Sequence, residues 1–120
     1  MRVLAREPLM VDVAVGQAAT VYSNVTAFDR ATGDCSIFLS STAGVITVTQ
    51  QCSFNREDWY DPIDSSGNKL GEVITAQTVT TGLWISFTPV LAPYSRFKVV
   101  EANSAPTTVT LRLMYQEQPR

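Results

Sequence analysis

Apolar and polar residues alternate with a period of two along most of this chain, and no other feature of the sequence constrains its fold as tightly. Leu9, Val11, Val13 and Val15 alternate with Met10, Asp12 and Ala14, and Val109, Leu111, Leu113 and Tyr115 alternate with Thr110, Arg112 and Met114. Successive side chains of a strand point to opposite faces, whereas an amphipathic helix needs apolar residues three and four apart. No helical pattern longer than a turn is present, and no internal repeat.

The same alternation predicts further strands over 19–25, around Cys35, Ile37 and Leu39, and over 45–54, 72–78, 83–87 and 95–101, with the last strand at 107–115. Residues 28–33 read as a loop and 41–44 as a turn. The polar stretch 55–71 reads as a long loop in which Trp59 and Tyr60 form a short edge strand. About eight or nine short strands with turn signals between them specify an all-β fold, a two-sheet antiparallel β-sandwich of the jelly-roll kind. A length of 120 residues suits one hydrophobic core, so a single domain is expected over 1–120. Residues 1–8, broken by Pro8, read as an extended N-terminal arm and 116–120 as a C-terminal tail, both free to reach a neighbour and add a strand there.

Composition removes several classes of function. The chain has no histidine and two cysteines, which excludes the usual zinc frameworks, the Ser-His-Asp triad and the Cys-His dyad. A net charge of −2 with no run of Lys or Arg leaves no basic footprint for nucleic acid. No apolar run reaches membrane-spanning length, and the charges of Arg2, Arg6 and Glu7 fall where a signal peptide would be apolar, so neither membrane insertion nor secretion is expected. The sequon Asn24-Val25-Thr26 then reads as a chance match.

Two readings are open for the cysteines. If 41–44 closes a hairpin centred between Ala43 and Gly44, Cys35 and Cys52 lie directly across it and a bridge is in reach; buried free thiols are the plainer reading. Asp58, Asp61 and Asp64, with the Asn68 amide, are the hard oxygen donors calcium would use, but their spacing lacks the usual calcium-loop pattern and the same residues are ordinary turn formers. No metal or cofactor is expected. The same aspartates are the carboxylates a glycosidase would require, yet flexible surface loops offer little cleft, so no catalysis is expected.

Trp59, Tyr60, Trp84 and Tyr94 are the aromatic residues best suited to a binding surface. Alternation turns Trp84 away from Leu83, Ile85 and Phe87 and so outward, while Trp59 could instead cap the end of the sandwich. Arg96, Lys98 and Arg112 fall on outward faces, where a solvated surface is the plainer reading and pairing with acidic residues, within the domain or across an interface, the sharper one. In the arm, Arg2, Leu4 and Arg6 are the residues an interface would use.

From Gly44 onward three stretches carry a family likeness: Ile46-Thr47-Val48-Thr49-Gln50-Gln51-Cys52-Ser53-Phe54, Asp58-Trp59-Tyr60-Asp61, and Phe87-Thr88-Pro89-Val90-Leu91-Ala92-Pro93-Tyr94-Ser95-Arg96-Phe97-Lys98-Val99-Val100. In these the chain resembles the small β-sandwich modules of tailed-bacteriophage virions, particularly head decoration or cement proteins. The resemblance implies a structural, oligomeric protein of the capsid surface, assembled in the host cytoplasm, that binds the outside of the shell and holds neighbouring major capsid subunits together. A similar succession of strand, Trp turn and aromatic-Arg-Phe strand occurs in discoidin-like jelly rolls, which keeps a carbohydrate-binding module as the alternative. Such modules carry a tight Asp-Gly turn before the Trp where this chain has Asn55-Arg56-Glu57.

Overall fold

The computed structural model describes residues 4–5, 9–15, 20–27, 31–102 and 107–117. Within them the alternating stretches form nine strands: β1 (Leu4–Ala5), β2 (Leu9–Val15), β3 (Thr20–Tyr22), β4 (Ala31–Ser41), β5 (Ile46–Ser53), β6 (Glu72–Gln77), β7 (Leu83–Phe87), β8 (Tyr94–Glu101) and β9 (Thr107–Glu117). All pairings are antiparallel, in two sheets. In the first, β1 and β2 pair with β9, followed by β4 and then β7; in the second the order is β3, β8, β5, β6.

The sheets share one core, to which strands of both contribute their apolar rows. Cys35, Ile37 and Leu39 of β4 and Val109, Leu111, Leu113 and Tyr115 of β9 meet Ile46 and Val48 of β5 and Phe97 and Val99 of β8, all buried. Phe87 and Phe97 touch across the interior edge to face, ring centroids 5.9 Å apart. Burying each such side chain favours the folded state by about 1.5–3 kcal/mol, and these residues drive the two sheets together.

Three expectations are corrected. The turn at 41–44 does not close a hairpin: β4 lies between β9 and β7, β5 between β8 and β6, and the segment carries the chain from one sheet to the other. Cys35 therefore faces Phe87 and Cys52 faces Ser95, and both thiols are free. The crossing is held where Ser41 donates its N–H to Val79 O (3.3 Å), Thr42 donates to Thr108 O (3.1 Å), and Thr42 Oγ1 accepts from Thr108 N (2.9 Å).

The second correction concerns the ends. Leu4 and Ala5 pair with Glu117 and Gln116, which also pair with Ala31 and Thr32, so these parts of the arm and tail are built into the first sheet. Backbone groups that find ladder partners within the chain are not available to a neighbour. Arg2 and Arg6 lie outside the described residues. Third, the strand expected at Trp59 and Tyr60 shrinks to one bridge between Tyr60 and Cys52, and β4 begins at Ala31, inside the expected loop, with a register shift between Thr32 and Ser36.

Candidate interaction surfaces

On the outer face of the second sheet, Arg96 of β8 stands opposite Gln51 of β5. Its Nε donates to Gln51 Oε1 (2.9 Å), and Gln51 Nε2 donates in turn to Asp61 Oδ1 (3.0 Å). The guanidinium carbon lies 3.8 Å from the centroid of the Tyr22 ring and 4.4 Å from that of Trp59. Trp59 and Arg96, expected at an interface, are instead spent on each other: the loop tryptophan lies over the sheet face and does not cap the end of the sandwich. A cation between two ring faces is worth about 0.5–2 kcal/mol per ring, depending on desolvation, and fastens the loop to the sheet. Tyr94 is occupied in the same way, by Arg56 at 4.4 Å. Arg56 is presented by a turn in which Ser53 Oγ accepts from the N–H groups of Asn55 (3.2 Å) and Arg56 (2.9 Å), with Arg56 at φ 65°.

The three loop aspartates do not converge. Asp58 Oδ2 accepts from Asn55 Nδ2 (2.8 Å), and Asp61 is engaged by Gln51. Asp64 closes its own turn, Oδ1 accepting from Ser66 N (2.8 Å) and Asn68 N (2.9 Å) and Oδ2 from Asn68 Nδ2 (3.0 Å). The Asn68 amides, and then those of Ser66 and Gly67, hold the Asp64 carboxyl below the ordinary range. Among the described residues no group of three metal-ligating side chains gathers. A polar hollow of about 250 Å³ on this face balances Asp61 and Glu72 against Lys69 and Lys98.

Where β5 ends, the molecule turns apolar. Cys52 and Tyr60 exchange two backbone hydrogen bonds of 2.9 Å, and with the loop 88–93 they frame a concavity of about 320 Å³. Phe54, Tyr60, Pro62, Val90, Leu91 and Pro93 line it, and no charged residue does. Phe54 is 84% exposed, Leu91 70% and Tyr60 63%. Leu91 sits on a fixed loop, because the buried Gln50 reaches out of the core row of β5 to hold Val90 beside it, while Tyr60 is held by its bridge to Cys52. Gln50 Nε2 donates to Val90 O (3.0 Å) and Ser95 Oγ (3.1 Å), and Gln50 Oε1 accepts from Val90 N (3.0 Å).

The outer face of the first sheet presents a second apolar surface. Trp84, outward as the alternation predicts and 67% exposed, stands opposite Phe38, which stands opposite Arg112. The two rings are 6.4 Å apart and tilted by 57°. Ser36, Phe38, Trp84, Arg112 and Met114 surround a hollow of about 300 Å³.

Sequence reasoning singled out Tyr60 and Trp84 but not Phe54 or Leu91. The signal that would have found them is present: a glutamine in the inward row Ile46, Val48, Gln50, and an apolar tripeptide, Val90-Leu91-Ala92, bracketed by Pro89 and Pro93. No helix among the described residues is long and apolar enough to cross a membrane. No protein-family model, curated protein or solved structure matches this chain. The described residues present two exposed apolar surfaces, one at the loops 53–62 and 88–93 and one around Trp84.

Proposed function

We propose that this chain is a non-catalytic structural module that docks on other proteins, and that it serves as a decoration or cement protein on the outside of a phage capsid, bound to major capsid subunits. The observation that carries the docking role is the apolar end held by Gln50. Exposed Leu91, beside the Val90 that Gln50 holds, and exposed Tyr60, bridged to Cys52, lose little backbone freedom on binding, which is what distinguishes an anchor from a greasy loop, and Phe54 adds apolar area beside them. The resemblance in 46–54, 58–61 and 87–100 supports the capsid as the partner, and the apolar end falls within those same stretches. A second surface around Trp84 lets one copy touch two neighbours, so modest contacts combine through effective concentration.

Saturable co-sedimentation with the capsids of a candidate phage, at a fixed copy ratio, tests this reading. Leu91→Ser and Phe54→Ser are expected each to weaken capsid binding about tenfold or more while leaving the fold intact, since both side chains are exposed. Failure to bind any capsid, together with retention on a glycan array that Trp84→Ala abolishes, would replace cement with sugar binding.

A further inference from the structure

A sandwich exposes four sheet edges, and proteins blunt such edges with charge, proline, bulges or shortness because an open one templates pairing with another strand. Three edges here are blunted. β3 has three residues. β6 carries two register shifts and a left-handed Ala76 at φ 48°. The edge beyond β9 is split between β1, two residues long, and β2, whose sequence has Asp12 at mid-strand. The fourth, β7, reads Leu83-Trp84-Ile85-Ser86-Phe87, with no charge, proline or glycine. It pairs with β4 on one side and ends the sheet. Its inward side chains Leu83, Ile85 and Phe87 pack on the core yet remain only half-buried.

We infer that β7 pairs antiparallel with β7 of a second copy about a two-fold axis at Ile85, joining the first sheets of two molecules into one. The register follows from the side chains. Pairing centred on Ile85 uses all five residues and keeps inward facing inward: Leu83 meets Phe87 of the other copy, and Ile85 meets Ile85. On the outer face Trp84 then stands beside Ser86 of the other copy. Within each molecule Ser86 is opposite Ser36, and Ser36 is opposite Met114. Two serines in a row leave space above the sheet, and that row leads into the hollow walled by Phe38 and Met114. Each copy thus carries a projecting indole one residue before the axis and a shallow path for one a residue after it.

That equal offset is why the occupant is a second copy and not an unrelated strand: the surface is complementary to itself, as an isologous interface must be. Two indoles, each 67% exposed in the free molecule, and two strand edges leave the interface below or at the lower bound of about 1,000 Å² for a specific contact. A reversible dimer, populated at micromolar concentration and above, is the consequence. The inference deepens the self-association expected of a capsid-surface protein and rests on that reading, but its test uses the isolated chain, so its failure leaves capsid docking through Leu91 standing.

Sedimentation velocity over a wide concentration range, with wild type, Ser86→Lys, Trp84→Ala and Leu91→Ser, is the experiment. Wild type and Leu91→Ser should pass from monomer to dimer together. Ser86→Lys, which sets an ammonium beside the incoming indole, and Trp84→Ala should each raise the midpoint about tenfold or more. Both positions are exposed, and an unchanged circular dichroism spectrum confirms the fold. Ile85→Cys should form a reducible covalent dimer on oxidation. A wild type that stays monomeric throughout, or a dimer indifferent to both Ser86→Lys and Trp84→Ala, would overturn the inference, as would one lost in Leu91→Ser alone.

Discussion

Gln50 is a polar residue in a row that the core claims, and its amide answers both backbone groups of Val90. In Gln50→Leu those part-buried groups lose their partner, so urea denaturation should show a loss of about 1 kcal/mol or more, and the 88–93 amides should exchange faster. The thiols make a second prediction at this scale. Burial, and then the charge of Asp34, push Cys35 from an ordinary 9.0 up to about 12; burial also raises Cys52, against a hydrogen bond from Ser95. Both are protonated at neutral pH, so Cys35 should stay silent to an aromatic disulfide reagent at pH 8 until the protein unfolds, as counted by mass spectrometry. Because its folded pKa is the higher one, the native state holds the proton more tightly. The stability this represents is complete below pH 9 and is lost as pH rises from 9 towards about 12, a slope that Cys35→Ala should reduce.

Among the elements, the crossing from β4 to β5 separates two effects that glycine substitution usually mixes. Gly44 and Gly67 adopt nearly the same left-handed conformation, φ 88° and 86°. A Cβ on Gly67 would meet nothing within 4 Å, whereas on Gly44 it would lie 2.5 Å from Glu101 Oε1. Gly67→Ala should therefore cost about 1 kcal/mol, the conformational term alone, and Gly44→Ala about 2–3 kcal/mol or more, both read from urea midpoints. The same crossing shows what sequence reading can reach. Alternation states which face a residue occupies, and so Leu9–Val15, Leu83–Phe87 and the inward rows of β8 and β9 were legible, as was the outward Trp84. It does not state which strand lies alongside. A turn at 41–44 suits a hairpin and a crossing between sheets equally, and only the competition of β7, β8 and β9 for the edges of β4 and β5 decides. Trp59 and Arg96 were misplaced for a related reason: a ring and a cation that look available in sequence are brought together by a loop whose path no local pattern encodes.

At the scale of the molecule, two clusters of exposed apolar groups stand apart. One set gathers at the loops 53–62 and 88–93, another on the outer face of the first sheet, while the outer face of the second is closed by the Arg96 stack and its polar neighbours. Under the proposed function, this division suits a connector, with one surface for a foreign protein and one edge for a second copy. Residue-resolved hydroxyl-radical footprinting of the protein, alone and bound to capsids, tests the central claim most directly. The account predicts strong protection of Phe54, Tyr60 and Leu91, with Lys69 and Glu72 unchanged. Protection confined to Lys69, Glu72 and Lys98, with Phe54 and Leu91 as reactive as in the free protein, would contradict it.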